Sequence, residues 1–424
     1  MCSPLHTSLI MRPMVISEQQ IHEDLYQAYY DARKYKRNTL AQMEFEEEEE
    51  VNLEDLYPEL VNRTYKPLPA FCFITFDPVQ REVFASQFRD RVVQHMLYNY
   101  LAPLFDTLLI YDTYSCRLGK GTHFGMERFC HHIRSVTDNY HHDAYVLLVD
   151  LSGYFMSIDK ALLMNIVMEE IYRHLDRRSP DGRLWSERID PYFCEWLLHC
   201  FFDRNPADDC IRLGSPSNWD GLPEKKRLSC SPPGFGLVIG DIDSQMLSNV
   251  LLNVVDQWAK RIKKLRHYGH YVDDHYVMHR ELSFLQELEP ELQEAFWQKI
   301  HVEIHPHKIR YAPATGANMY LGAYVRPYYK VPRQRTIDKF VRVAQEMEYQ
   351  LAFCQPTLDD LELIRARVNS YCGILSHYKA YNLRKKYFDV PAYNHYFTFD
   401  EWMTKGILKP QYQKDYRYWL THFT

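Results

Sequence analysis

Three aspartates in this chain have the type and setting for phosphoryl chemistry. Asp273 and Asp274 stand side by side in Tyr271-Val272-Asp273-Asp274, among aromatic and β-branched residues that read as two short strands meeting at a tight turn. Two carboxylates at one turn repel each other unless a cation joins them. The third, Asp150, ends Tyr145-Val146-Leu147-Leu148-Val149, an apolar strand of buried type. Asp150, Asp273 and Asp274 together could hold two Mg²⁺ ions, or Mn²⁺ in their place, because such ions take oxygen ligands and share substrate phosphates. A pair of ions about 3.5–4 Å apart stabilises both the attacking and the leaving oxygen. An isolated Asp-Asp reads more readily as the solvated tip of a hairpin. The ordered segments around it favour the chemical reading.

Composition narrows the class. At 424 residues the chain exceeds a usual single domain, so two or three lobes sharing cores are expected. No apolar run approaches the roughly 18–20 residues of a membrane span. Met1-Cys2-Ser3-Pro4-Leu5-His6 lacks the charged and apolar regions of a signal peptide. The ten cysteines form no C-x-x-C pair, against zinc ribbons and disulfide scaffolds. A cytoplasmic protein with no membrane partner is the expectation. A net charge of −6 is not that of a uniformly basic nucleic-acid binder. A cleft can still be positive when the total is negative. Here Glu46–Glu50 crowd the N-terminal part, while Arg89, Arg91, Arg117 and Lys120 follow later.

The positioning elements follow from periodicity. Residues 17–37 read as a Ser17-capped helix, and the Glu run after it as a solvated helix face or loop. Phe71–Phe84 reads as a β-hairpin turned at Asp77-Pro78, followed by a helix from Phe88 to Leu104. Gly119-Lys120-Gly121 lacks the spacing of a phosphate-binding loop and suits a basic loop touching a nucleic-acid backbone. Residues 176–230 read as an irregular, turn-rich surface insertion. Gly234 to Gln245 leads into a helix with apolar pairs at Met246/Leu247, Val250/Leu251 and Val254/Val255. Met319–Val325 gives a hairpin, and helices are expected over 335–353 and 357–388. The last carries Tyr371, Tyr378 and Tyr381 among His377, Lys379, Arg384, Lys385 and Lys386, either gripping a duplex or packed inward. His267, His270, His275 and His279 invite a zinc reading, but alternating strand directions separate most of them.

Taken in order, these segments resemble the seven-block pattern of reverse transcriptases over residues 65–390. Asp150 with Phe155, Gly236 to Gln245, Tyr271-Val272-Asp273-Asp274, Lys308 and Tyr320-Leu321-Gly322 are similar to five successive blocks. Ile239-Gly240 with Ser244-Gln245, Arg81-Glu82-Val83-Phe84-Ala85, Arg117-Leu118-Gly119-Lys120-Gly121-Thr122 and Asn369 to Tyr378 resemble enzymes of diversity-generating retroelements. The related "unknown group" bacterial enzymes, many of them antiphage defence reverse transcriptases, share much of this pattern. Gln80 stands where that pattern has Lys, Val238 where it has Pro, and Asp241 and Asp243 where it has neutral residues. These departures favour the defence branch.

The resemblance implies an α+β right-hand polymerase. Its parts would be an N-terminal helical extension (1–64), fingers (65–145), a palm (146–330) with antiparallel sheet and packed helices, an α-helical thumb (331–390) and a C-terminal extension (391–424). It implies an RNA-directed DNA polymerase working on dNTPs, a template RNA and a DNA product, with an accessory protein or a second copy as further partner. The template would be a dedicated noncoding RNA in antiphage defence; the alternatives are retroelement diversification and a catalytically silent RNA-binding scaffold. Lys308 would be the general acid, Arg81 with Arg91 the triphosphate clamp, and Phe155 the sugar gate. Gly240 and Gln245 would meet nucleotide and template base. Arg117, Lys120, Tyr320, Leu321, Gly322, Tyr378 and Lys379 would contact nucleic acid.

Overall fold

The computed structural model describes residues 16–34, 39–77 and 79–413. The last residues of the helix expected over 17–37, Pro78 of the hairpin turn and the outer parts of both terminal extensions lie outside the described residues. The protein is a mixture of helices and several small sheets, as an α+β chain should be. It divides into two compact units. One runs to Gly121 and takes in Leu148–Tyr276 and Gln286–Ile309; the other comprises Thr122–Leu147, Val277–Leu285 and the chain from Arg310 onward. Among the described residues no helix is long and apolar enough to cross a membrane.

The first unit begins with α1 (Glu18–Arg33), whose Ser17 hydroxyl accepts from the Gln20 N–H. Its buried stripe of Ile21, Leu25, Ala28 and Tyr29 follows the helical period. The Glu run is not one solvated face: it spans the junction of α2 (Leu40–Glu47) and α3 (Glu49–Val61), where Glu46 pairs with Arg33 and Glu49 accepts from Tyr29. Strands β1 (Phe71–Thr75) and β2 (Arg81–Ala85) form the expected antiparallel hairpin, with Thr75 opposite Arg81. Helix α4 (Phe88–Leu108) follows and buries Val92, Val93, Met96, Leu97, Leu101 and Leu104.

The second unit starts at α5 (Thr122–Val136). From Leu148 the chain belongs to the first unit again: strand β3 (Tyr145–Asp150) leads through the short α6 (Tyr154–Ser157) into α7 (Lys160–His174). The stretch 176–230 is more ordered than its turn residues suggest. It contains α8 (Pro191–Phe202), capped by Asp190 and burying Phe193, Cys194, Leu197, Leu198 and Phe202. Strand β4 (Ile211–Arg212) then pairs parallel with β1. The flanking turn signals at 177–183 and 203–223 mask a short apolar helix that no long periodic run announces.

Helix α9 (Ile242–Gln257) is almost wholly buried; after it, β5 (Tyr268–Tyr271) and β6 (Asp274–His279) form the hairpin around the paired acids. In the first unit the strand order is β5-β6-β3, and α10 (Leu282–Ile300) follows the hairpin.

In the second unit, the Ala314 N–H that follows β7 (Arg310–Pro313) donates to the Ala144 carbonyl before β3 (2.8 Å). Strands β8 (Asn318–Tyr320), β9 (Ala323–Val325) and β10 (Lys330–Pro332) make a meander. Leu321 and Gly322 both take positive φ (49° and 79°), the two-residue turn that matches strand twist. Helix α11 (Gln334–Phe353) packs with α12 (Leu358–Ser376) and α13 (Tyr381–Phe388).

The single helix expected over 357–388 is therefore broken at 377–380. There the buried Arg384 guanidinium donates to the Leu375, Trp402 and Met403 carbonyls, which a continuous helix would not present together. Helix α14 (Pro391–Tyr396) and the β11 (Phe397–Phe399)–β12 (Gly406–Leu408) hairpin contribute Tyr393, Phe397, Met403 and Leu408 to the same core as Phe340 and Met347.

Candidate active site

Asp150 and the Asp273–Asp274 turn meet through the backbone: the Leu151 N–H donates to the Asp273 carbonyl (3.2 Å). Val272 occupies the tip at φ 53°, a left-handed conformation costly for a β-branched residue. The segment before Lys308 is fastened to the end of β3. His305 N–H donates to the Asp150 carbonyl (2.7 Å), and Lys308 N–H to His305 (3.0 Å). That loop delivers the Lys308 ammonium to Asp150 Oδ2 at 2.6 Å. Lys308 is thus the counter-charge of Asp150 here.

Asp273 and Asp274 both resist ionisation. Burial raises the Asp273 carboxyl above its ordinary value, and Asp150 adds to the effect. Asp274 is pushed up to about 7 by burial, then by Asp273 and Asp150, with Lys308 and Arg81 pulling the other way. The donor set fits a hard divalent cation, since it offers carboxylate oxygens under a repulsion that added positive charge relieves. Among the described residues no group of three or more His, Cys, Asp or Glu side chains is placed to hold a metal ion. A cation here would complete its shell with substrate oxygens.

Behind the hairpin lies a buried polar network that sequence reasoning missed. Asp256 of α9, fully buried, accepts from Tyr268 (2.7 Å), from His270 Nε2 (2.9 Å) and from Thr113 (3.2 Å). His270 and His275 come from facing strands and stack with ring centroids 4.5 Å apart. Strand alternation separates neighbours within a strand but brings cross-strand partners onto one face. Burial holds His275 well below the ordinary imidazole value, with His270 adding to it, so His275 is neutral. The 112–114 segment pairs with β5, and Tyr114 meets the Tyr276 hydroxyl at 2.7 Å. At Gly269 a Cβ would lie 2.4 Å from the Tyr114 oxygen, so only glycine lets this segment close. The remaining signal was a pair of histidines bracketing the acids.

The other sequence-assigned residues of this unit are placed as follows. Arg81 is exposed and acts on the acids, whereas Arg91 donates to the Ser86 carbonyl (2.9 Å). Phe155 is half-buried against the cluster of Ala70, Cys72, Phe84, Met156 and Leu228. The close approach at Gly240 is to protein: a Cβ would stand 2.7 Å from the Phe84 carbonyl. The Gln245 side chain accepts from the Cys116 thiol (3.0 Å). The basic loop spends its cations on itself. Arg117 donates to Asp106 Oδ1 (2.6 Å) and to the Ile110 carbonyl (2.7 Å). Lys120 donates to the Tyr111 carbonyl and sits over that ring.

In the second unit Tyr320 is buried and stacks on Phe129 (4.7 Å). Tyr378 packs on the helical core, and the Lys379 ammonium lies over Tyr329.

Asp241 and Asp243 do not simply add charge. Ser86 donates to both Asp241 oxygens (2.8 and 2.9 Å), and both acids line a cavity of about 40 Å³ with Gln94 and Leu237. Asp243 is pushed up to about 8 by burial and then by Asp241, so it keeps its proton at neutral pH. Its folded value lies above the ordinary one near 4, so its stabilising contribution is complete below pH 4 and is lost as pH rises through about 8. Asp243→Asn should therefore match the wild type at pH 4 and melt roughly 2–5 °C higher at pH 9. Thermal melts across that range check this; a gap that shrinks with pH refutes it.

No protein-family model matches the chain, and no curated protein does. Among solved structures, a telomerase from Candida albicans, in complex with the TWJ fragment of telomeric RNA, is similar at 10% identity with a TM-score of 0.41. The match covers 77% of this chain, which spans only 58% of that one.

Proposed function

We propose that the protein is an RNA-directed DNA polymerase, with 65–145 as fingers, 146–330 as palm and 331–390 as thumb. The observation that carries the reading is the meeting of Asp150 with Asp273 and Asp274 under a mutual repulsion that a bound cation would relieve. When bound, two Mg²⁺ ions, or Mn²⁺, would supply charge neutralisation at the attacking and leaving oxygens. The three carboxylates would hold them. A primer 3′-hydroxyl, or a protein hydroxyl in its place, forms a bond to the α-phosphorus of a dNTP. The bond to pyrophosphate breaks, and the hydroxyl proton passes to solvent.

Arg81 would neutralise the triphosphate, and Arg91 would join it only after leaving the Ser86 carbonyl. Lys308 would be released from Asp150 and give its proton to the departing pyrophosphate. Gly240 and Gln245 would border the nascent base pair, and the Tyr320-Leu321-Gly322 turn, Tyr378 and Lys379 would contact primer and template. Arg117 and Lys120 would shape their loop against the template strand.

Purified protein should incorporate labelled dTTP on poly(rA)/oligo(dT) with Mg²⁺ or Mn²⁺, and an Asp273→Asn/Asp274→Asn variant should not. Failure on every template tried would favour an RNA-binding scaffold. Sequencing the nucleic acid that copurifies identifies the template: a lone noncoding RNA fits antiphage defence, a template and variable repeat pair fits retroelement diversification. Phe155 would close the pocket against a ribose 2′-hydroxyl. Phe155→Ala should then raise rNTP over dNTP use by about 10–100-fold, and an unchanged ratio removes the gate.

A further inference from the structure

The stretch 203–230 is tied to the β1–β2 hairpin at its buried face. Glu82, 3% exposed, accepts from the Trp219 indole (2.8 Å) and from the Leu228 N–H (2.7 Å). Gln80 donates to the Asn218 and Asp220 carbonyls (2.8 and 3.0 Å). Leu228 joins Phe84 and Met156 in one apolar cluster, with Phe155 and Trp219 against it. The same stretch reaches the acids' own loop. Gly153 takes φ 56°, and a Cβ there would stand 2.9 Å from the Lys225 carbonyl and 3.9 Å from the Lys225 Cβ. Gly153 is three residues from Asp150, at most ~10 Å along the chain.

Charge around this junction is unevenly committed. Lys308 is held by Asp150, Arg91 by the Ser86 carbonyl, and Arg227 by the Leu222 and Trp219 carbonyls. Lys225 and Lys226 are exposed at the end of a single 3₁₀ turn, and neither ammonium has a partner among the described residues. Gln80, beside Arg81, brings no charge of its own. The flexible four-carbon stem of Lys225, rooted beside Gly153, lets its ammonium follow a polyanion near Asp150, with Lys226 the next residue along.

We propose that Lys225 and Lys226 form, with Arg81, the cationic wall that binds the triphosphate of the incoming nucleotide. This rests on the polymerase reading above. It makes the 203–230 stretch part of the nucleotide pocket.

The test compares wild type with Lys225→Ala/Lys226→Ala, the corresponding double Arg variant, and the double Ala variant carrying Gln80→Lys. Single-nucleotide incorporation gives KM and kcat for dTTP, inorganic pyrophosphate gives a product-inhibition constant, and calorimetric titration with Mg²⁺·dTTP gives affinity without turnover. The double Ala variant should melt like the wild type, with KM, the pyrophosphate constant and the dTTP Kd each raised about 5–10-fold and kcat nearly unchanged. Arg should restore all three, and Gln80→Lys part of them. Unchanged dTTP and pyrophosphate constants in the double Ala variant overturn the proposal, as does a loss confined to primer–template affinity. If wild type binds dTTP through these lysines yet never incorporates it, the wall stands and the polymerase reading falls.

Discussion

Asp274→Asn is expected to lower nucleotide incorporation on the order of 10³-fold and, at the same time, to stabilise the metal-free protein. The two effects share one cause. Asp274 is pushed up to about 7 by burial and by its two acidic neighbours, well above the ordinary carboxyl value near 4. The wild type therefore loses stability as pH rises through about 7, and the amide variant does not. At pH 8 the variant should melt roughly 2–5 °C above wild type, with the gap closing toward pH 4. Adding Mg²⁺ should reverse the order, because a cation that binds only the folded wild type stabilises it by mass action. Melts at both pH values with and without Mg²⁺ decide the matter. A variant that is less stable than wild type at pH 8 without metal contradicts the electrostatic account.

Asp256→Ala should show the opposite pairing, losing activity and stability together. The carboxylate is fully buried and accepts from Tyr268, His270 and Thr113, so its removal strands three donors beside the Asp273–Asp274 hairpin. A cost of about 3–5 kcal/mol is expected, read from denaturant unfolding. Asp256→Asn keeps an acceptor and should fall between. A folded Asp256→Ala protein with wild-type incorporation would show that the network does not support the acids.

What the sequence discloses here is what local chemistry dictates. Alternation around Tyr271 and the apolar run into Asp150 set two strands, and the spacing of Met246, Leu247, Val250 and Leu251 sets α9. Turn-rich flanks concealed α8, because twelve residues between turns carry too little periodic signal. The break after Ser376 depends on carbonyls collected by Arg384 from residues up to nineteen positions away. Asp256, Thr113, His270 and Tyr114 acquire their roles only when segments over one hundred residues apart meet, as the Thr113–His270 contact illustrates. The fate of Arg117 and Lys120 was hidden for a simpler reason. A basic loop looks the same in sequence whether its donors face a ligand or its own carbonyls.

The interleaving of the two units governs how the protein can be made. Neither is a continuous stretch: the first is not complete until Ile309 has been synthesised, and the second draws on residues from Thr122 onward. Neither unit can be completed before Ile309 has been synthesised. In the nascent chain β3 lacks its sheet neighbour β6 until the Asp273–Asp274 hairpin has been made.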